Sequence, residues 1–584
     1  QYTPHCGFVC ILHTRTWNSH RVRRSAMRRF SQQFRIPTEA PSLEQLSATA
    51  RALGLELPSN QLTDYRALVR SFLAAFRQVD DMASKEDYGT AIPRKMDGIR
   101  LIRKFWKPDP NPGNAWVTRC EISGSLLSSS RLESPSPLAG KRVAVKDCIS
   151  VAGLPMTCGS ELLLANVPDS DATVVSRVLQ AGATIVGKAT CEEFCFSGGS
   201  HTGYPGPVSN PHDPDRTAGG SSSGCARLLA VGDEVDLALA TDQGGSARTP
   251  AAWCGVVGLK PSYGLVPYTG TASMCRRLDH IGLMARTVAE IGQLLAVLAG
   301  PDGLDGRQLT VDESELLKSS PKASLLNGDL RKYRFALLAE GFVGKDAEVD
   351  AAVRSAVDRI FQASDGGGGD GGCPVVSVPR HRRAHRFVSC LSLLKGFEER
   401  RASTPGQHLP HLPSLWPTSS SGSLAAATLN ADCRRHLVDI CVDLADRLRR
   451  EYDCAAFKQF DFLLMPTLPY RPPVLPPPFK SVSGNTSGAT SGFDSGSVSG
   501  STSGFGSASG SASVGETFAA AFGMMGNTQP FCATGHPAVS VNCGSVANGA
   551  LPVGLMLVAR RWDDWRLLDA ALGVERLLGR FAAP

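Results

Sequence analysis

The chain has 584 residues, 42% of them hydrophobic, and this length is enough to bury a large core. Its formal net charge of +7 would by itself favour an anionic partner. Residues 1–37, however, contain seven arginines and no acidic residue. Of the 61 lysines and arginines, the 54 outside this tail match the 54 acidic residues, so we expect no nucleic-acid partner for the body of the chain.

The arginine-rich segment 1–37 has the composition of an organellar transit peptide. Two other interpretations stay open. Since the sequence starts at Gln1, the true start is missing in one of them; in the other, Met27 is the natural start and the residues before it are mistranslated. No apolar run approaches the roughly 20 residues of a membrane span, so we expect none. These features favour the cytoplasm, with an organellar location as the alternative if residues 1–37 are a transit peptide.

Seventeen cysteines are scattered along the chain without a C-x-x-C pair, and several interrupt apolar runs. Small secreted proteins need a disulfide framework, whereas a chain of this length does not. The sequence therefore predicts buried, reduced thiols. The Cys191-x-x-x-Cys195 spacing is poor for zinc, and no metal site is predicted.

The predicted elements begin with residues 43–85, where apolar residues recur at three- and four-residue steps. This pattern indicates helices, with Ser59-Asn60 as an N-cap. Further on, KRVAVKD at 141–147 predicts a strand, DATVVSRVLQA at 171–181 a helix and ATIVGKA at 183–189 a second strand. Such alternation is typical of an α/β fold.

Two serine-glycine clusters, GGSSSG at 219–224 and DQGGS at 242–246, flank a mostly apolar stretch. Upstream, VAVKDCISVAG at 143–153 presents Lys146 directly after apolar residues. A lysine at the end of a buried strand is desolvated, which favours its neutral amine. Together with GSARTPAAWCGVVGLKPSYGLVPYTG at 245–270, these motifs closely resemble the amidase signature family.

The resemblance, which extends to TGHPAVSV at 534–541, implies a mixed β-sheet covered by helices, with a small N-terminal helical lobe as in bacterial broad-range amidases. It also implies a Ser–cis-Ser–Lys triad, in which Ser246 is the nucleophile, Ser221 the bridging serine and Lys146 the base. The oxyanion hole would then be formed by the backbone N–H groups of Gln243, Gly244, Gly245 and Ser246.

The implied activity is hydrolysis of a small-molecule carboxylic amide to acid and ammonia through an acyl-enzyme, without a metal or an organic cofactor. The resemblance leaves a homodimer open. Two alternatives keep the triad: the glutaminase subunit of a tRNA-dependent amidotransferase, and a fatty-acid amide hydrolase. A third, from another class, is a catalytically silent interaction protein that recruits partners through its Ser/Gly loop and basic tail.

Residues 220–224 also fit G-x-S-x-G, the nucleophile elbow of α/β-hydrolases. That elbow follows a buried strand, whereas here the polar, proline-containing segment 210–219 precedes it. The surrounding sequence therefore disfavours an α/β-hydrolase site.

The domain prediction follows from the composition and the resemblance together. Residues 1–37 form a basic tail that is disordered or targeting, 38–110 a helical lobe, and 111–584 the catalytic domain. Glycine-, serine- or proline-rich segments near 364–372, 402–423 and 481–513 cannot build a core and are predicted to be flexible insertions.

Overall fold

A computed structural model describes most of the chain between residues 39 and 581. The described ranges are 39–52, 55, 57–83, 104–123, 137–232, 234–308, 326–342, 346–364, 372–402, 429, 431–475 and 525–581. The predicted basic tail lies outside the described residues, and so do 365–371, 403–423 and 481–513 of the predicted insertions. Those assignments therefore stay predictions.

The described part is built around one sheet of 12 strands. In chain order the strands are β1 (Lys104–Trp106), β2 (Trp116–Ser123), β3 (Arg142–Lys146), β4 (Thr184–Ala189), β5 (Leu237–Thr241), β6 (Val257–Lys260), β7 (Ile281–Ala285), β8 (Phe335–Leu338), β9 (Val375–Val376), β10 (Phe462–Pro466), β11 (Ala538–Val546) and β12 (Leu551–Ala559). Across the sheet their order is β1-β2-β4-β3-β5-β7-β6-β11-β12-β10-β8-β9.

The sheet is mixed. Strand β3 pairs in parallel with β4 and β5, and β8 pairs in parallel with β9 and β10. The remaining neighbours, such as β5 with β7 and β11 with β12, are antiparallel. The predicted mixed sheet of an α/β fold is therefore confirmed.

Helices cover the sheet. In chain order they are α1 (Leu43–Ala52), α2 (Leu62–Ala83), α3 (Thr173–Gln180), α4 (Ser223–Val231), α5 (Arg248–Cys254), α6 (Val288–Leu298), α7 (Ala347–Ala363), α8 (His381–Ala402), α9 (Ala431–Glu451), α10 (Gln529–Thr534) and α11 (Asp564–Leu578). Among these helices, none combines the length and the apolar character needed to span a bilayer.

Strand β10 shows why the strands are apolar without interruption. Its residues Phe462 and Leu464 pack into one hydrophobic cluster, while Leu463 and Met465 pack into another. All four side chains are fully buried, because successive residues of a strand point to opposite faces and helices cover both faces here.

The predicted elements 141–147, 171–181 and 183–189 correspond to β3, α3 and β4. The helices predicted in 43–85 correspond to α1 and α2, which pack with α8 and α9 in one cluster. The Ser59-Asn60 N-cap was a wrong prediction, because Ser59–Gln61 form a 3₁₀ turn without a side-chain cap. Lys104–Trp106, inside the predicted lobe 38–110, pairs with β2 at the edge of the sheet.

The cysteines behave as the composition indicated. The 15 cysteines within the described residues form no disulfide with one another, and of these only Cys454 is exposed. The prediction of buried, reduced thiols is confirmed for this part of the chain.

Candidate active site

The site lies where two parallel strands end. Lys146 is the last residue of β3 and Thr241 the last residue of β5, and the carboxyl ends of parallel neighbours meet at one edge of a sheet. Lys146 Nζ donates to Ser221 Oγ at 2.8 Å and to Thr241 Oγ1 at 2.7 Å. All three residues are fully buried.

Ser221 belongs to the glycine-serine loop that leads into α4. The Gly220–Ser221 peptide is cis. A Cβ at position 220 would lie 2.9 Å from Glu192 Cγ and 3.2 Å from the carbonyl carbon of Gly198, so the packing around this peptide requires glycine. The Ser221 carbonyl accepts the Glu192 N–H at 3.2 Å, which fixes the loop against the turn after β4.

Ser246 lies on the loop between β5 and α5. The backbone N–H of Ser222 donates to the Ser246 carbonyl at 3.1 Å, so the two serine-glycine clusters meet in space. Ser246 lines a cavity and is 3% exposed, whereas Ser221 and Lys146 are 0% exposed. The structure thus places one serine at the cavity, with a second serine and the lysine buried nearby.

A buried ion pair holds the Ser246 loop. Arg248 donates from Nε to Asp242 Oδ2 and from Nη2 to Asp242 Oδ1, both at 2.9 Å. Burial alone would raise the pKa of Asp242, but the Arg248 guanidinium holds that pKa well below its usual range. The carboxylate is therefore a fixed anion at neutral pH, and it also accepts the Gly245 N–H at 2.7 Å.

The four backbone donors predicted for an oxyanion hole are not equivalent. The Gly245 N–H is already engaged by Asp242. Within the described residues, the N–H groups of Gln243, Gly244 and Ser246 have no acceptor, and all three residues line the cavity. These three donors are therefore free to bind an oxygen that enters the cavity.

The carboxylate next to Lys146 in the chain is engaged elsewhere. Asp147 lies 3.3 Å from Lys188 Nζ in a fully buried ion pair, and its Oδ2 accepts the Thr157 hydroxyl at 2.6 Å. Among the described residues, no carboxylate forms an ion pair with Lys146. The amine instead faces hydroxyl groups and thiols.

Two opposing effects act on Lys146. Burial disfavours the ammonium and lowers the pKa, whereas ionised cysteines nearby, Cys195 foremost, would raise the pKa above its ordinary value. Burial raises the pKa of Cys148 and Cys225, so those two stay neutral thiols at neutral pH. While Cys195 is ionised, the pKa of Lys146 is therefore raised overall. Transfer of a proton from the Lys146 ammonium to the Cys195 thiolate would give the neutral amine, so the two groups share one proton.

The cavity in front of Ser246 has a volume of about 470 Å³. Helices α2 and α8 contribute much of its wall, and the other lining residues come from loops around the site. The lining residues are Ser71, Phe72, Ala74, Ala75, Phe76, Gln78, Cys195, Phe196, Ser197, Gln243, Gly244, Ser246, Met274, Arg386, Val388, Ser389, Cys390, Ser392, Met525 and Gln529. Most of the surface that these residues expose to the cavity is apolar, and the described lining contains no carboxylate.

Sequence reasoning named Lys146, Ser221 and Ser246, and the structure brings them to one place. It missed Thr241, whose only sequence signal is its position at the end of the apolar run LALAT. It also missed Phe72 and Phe76, which appear in the sequence as ordinary apolar residues of an amphipathic helix. Within the described ranges, no cluster of three or more His, Cys, Asp or Glu side chains is arranged to hold a metal ion.

Known proteins are similar to this chain over most of its length. A family model described as Amidase matches residues 124–396. An enantioselective amidase from Rhodococcus rhodochrous is 32% identical over 585 residues, which cover 93% of this chain and 97% of that protein. A glutamyl-tRNA(Gln) amidotransferase subunit from Synechococcus sp. is 32% identical over 467 residues, covering 76% of this chain and 84% of that protein.

The fold has a solved counterpart in the peptide amidase from Stenotrophomonas maltophilia. That structure matches with a TM-score of 0.58 and 24% identity, over 77% of this chain and 85% of that one. The matches to the Amidase family model and to the Rhodococcus enzyme support an enzyme that hydrolyses carbon–nitrogen bonds. The chain belongs to the amidase signature family, as the match to the Rhodococcus enzyme over nearly its whole length shows.

Proposed function

We propose that this protein hydrolyses carboxylic amides to the acid and ammonia with Ser246 as nucleophile, Ser221 as proton relay and Lys146 as base. The observation that carries the proposal is the 2.8 Å contact between Lys146 Nζ and Ser221 Oγ, both buried close to a cavity-lining serine. An amide carbonyl resists attack, so a serine needs such a base to become nucleophilic.

In the proposed reaction, Ser246 Oγ attacks the carbonyl carbon and its proton passes to Ser221, while the Ser221 proton passes to the neutral amine of Lys146. The proton then returns along the same relay to the leaving nitrogen, and ammonia departs. Water, activated by the same base, cleaves the acyl-enzyme. The scheme uses no metal or organic cofactor.

The tetrahedral intermediate carries a negative oxygen that must be stabilised. The N–H groups of Gln243, Gly244 and Ser246 are the proposed donors, since they line the cavity without an acceptor in the described structure. Gly245, although part of the same motif, donates to Asp242 and would act by holding the loop in place. Removal of one such donor typically costs 10²- to 10³-fold in kcat.

The glutaminase subunit of an amidotransferase is the second candidate, because several relatives matched over most of their length are such subunits. Glutamine carries an α-ammonium group, which a binding site normally pairs with a carboxylate. The described cavity lining has Arg386 but no carboxylate, and its walls are largely apolar. This composition favours an amide with an apolar acyl group over glutamine.

A panel of aliphatic, aromatic and long-chain amides together with glutamine, assayed for ammonia release, tests the proposal. We expect Ser246→Ala and Lys146→Ala to lower kcat/KM by at least about 10³-fold while circular dichroism stays native. Ser223→Ala is a matched control, because this serine lies in the same cluster and its buried hydroxyl has no partner among the described residues. Normal activity in Lys146→Ala would refute the triad.

Two measurements on the same protein distinguish the two rival functions. Ammonia release from glutamine alone, with none from the other amides, would replace the proposed function with the glutaminase. Failure of Ser246 to react with a fluorophosphonate would instead favour the silent interaction protein.

A further inference from the structure

A cluster of thiols lies beside the proposed base. The thiols of Cys148, Cys191 and Cys195 lie close enough to one another for their pKa values to be linked. Cys148 Sγ lies 3.7 Å and Cys195 Sγ 3.9 Å from Thr241 Oγ1, which is the same atom that accepts from Lys146 Nζ. One hydroxyl group therefore separates two of these sulfurs from the lysine.

Of the three thiols in this cluster, one reaches the cavity. Cys195 is 6% exposed and lines the cavity together with Ser246, whereas Cys148 and Cys191 are 0% exposed. The apolar walls of the cavity suit a small uncharged molecule. Such a molecule lies next to Cys195 without any opening of the core.

The neighbours of Cys195 also favour its reactive form. Hydrogen bonds from Cys148 and Cys191 lower the pKa of the Cys195 thiol well below its ordinary value, and the positive charge of Lys146 adds to this effect. Burial raises the pKa of Cys148. Because the thiolate is the nucleophilic form of cysteine, reactivity within this cluster is concentrated on the thiol that lines the cavity.

We propose that Cys195 is a modification site inside the cavity, which takes small uncharged sulfur electrophiles such as thiosulfonates and low-molecular-mass disulfides. Cys195 Sγ attacks one sulfur of the reagent, a new S–S bond forms and the reagent's own S–S or S–SO₂ bond breaks. Cys195 attacks as the thiolate while Lys146 holds the proton, and the leaving thiolate or sulfinate keeps the electron pair. The attached group then occupies the cavity beside Ser246, so amide hydrolysis stops, a consequence that rests on the proposed function.

The test uses methyl methanethiosulfonate on the full chain, with peptide mapping to follow the labelling rate of each cysteine. We expect the Cys195 peptide to gain the methylthio group at the rate at which activity is lost, and dithiothreitol to restore both. A saturating amide substrate should slow labelling at Cys195 and leave labelling at the exposed Cys454 unchanged. Labelling of Cys195 no faster than that of the fully buried Cys148 would overturn the proposal.

Two variants, each compared with its own starting activity, sharpen the result. Cys195→Ser should be inactivated at least about tenfold more slowly than the native chain. Cys390→Ala is the matched control, because this second cavity-lining thiol is hydrogen-bonded with Cys441 rather than placed beside Lys146, and it should keep the native sensitivity. The reverse pattern would assign the site to Cys390 and overturn the proposal.

Peptide mapping on the native chain keeps the test valid if either variant fails to fold. The labelling step is also independent of amide hydrolysis. Selective, reversible labelling of Cys195 in a chain that hydrolyses no amide would refute the proposed function and leave the modification site standing.

Discussion

Asp242 and Arg248 form a fully buried ion pair, with Arg248 Nε 2.9 Å from Asp242 Oδ2. The two residues flank the Ser246 loop, and the same carboxylate also accepts the Gly245 N–H at 2.7 Å. The conformation of the loop that carries the proposed nucleophile is therefore fixed by an interaction out of contact with solvent.

Replacement of Asp242 by Asn should destabilise the protein strongly, because Arg248 would then keep a buried, unpaired charge. Such a loss typically costs about 3–5 kcal/mol, which urea unfolding would measure. Asp213→Asn is the control, since the Asp213–Arg216 pair is partly exposed and is worth at most about 1 kcal/mol. Equal losses in the two variants would contradict the assigned role of the buried pair.

Replacement of Thr241 by Val keeps the side-chain shape and removes the hydroxyl that accepts from Lys146 Nζ. A hydrogen bond to a charged group is worth about 1.5–3 kcal/mol, so we expect kcat to fall about 10- to 100-fold, with an altered pH profile. Thr157→Val loses a comparable buried bond, to Asp147, and should lower stability without changing the pH profile. An unchanged profile in Thr241→Val would show that this contact does not orient the base.

Gly245 should not tolerate alanine. Its φ is +133°, and an added Cβ would lie 2.2 Å from Thr528 Oγ1. The loop would have to move, so we expect Gly245→Ala to lose most activity in the amide assay. Gly153→Ala is the control for the effect of positive φ, because Gly153 has a φ of +78° but no described atom lies within 4 Å of the added Cβ. This variant should lose about 1–3 kcal/mol of stability while its activity persists.

The buried residue Lys260 should make the free energy of unfolding depend on pH. Burial lowers the pKa of this lysine from 10.5 to about 7. Between pH 7 and 10.5 the unfolded chain therefore binds more protons than the folded one, and the free energy of unfolding should rise with pH by up to about 1.4 kcal/mol per unit. Below pH 7 both states are protonated and the contribution is constant.

Urea titrations between pH 6 and 10 would measure that slope. Lys260→Met should remove the slope and raise stability at pH 7, because it removes the cost of burying an ammonium group. Lys141→Met, at a partly exposed lysine paired with Glu290, should leave the slope unchanged. A slope that persists in Lys260→Met would mean that another group titrates.

Sequence reasoning reached the parts of this site that lie in short continuous motifs. Lys146 follows an apolar run whose pattern predicts a buried strand. In each of the two serine clusters, the glycines directly precede the serine to which a role was assigned. Thr241 comes next to Lys146 only through the pairing of β3 with β5. Cys195 contacts Thr241 because the turn after β4 places it there. No local sequence pattern predicts the contact of Thr241 with Lys146 or with Cys195.

The Asp242–Arg248 pair illustrates a different limit. The six-residue separation is visible in the sequence, but opposite charges at that spacing are common on exposed surfaces. What distinguishes this pair is its complete burial, which depends on helix α10 and strand β12 arriving from the far end of the chain.

Phe72 and Phe76 of α2 form part of the cavity wall, yet they precede the segment 124–396 that the family model matches. Mutations in this helix can therefore reshape the cavity while Lys146, Ser221 and Ser246 stay unaltered. The shape of the cavity is thus set in part by a helix outside the matched segment, and relatives with identical motifs need not have identical cavities.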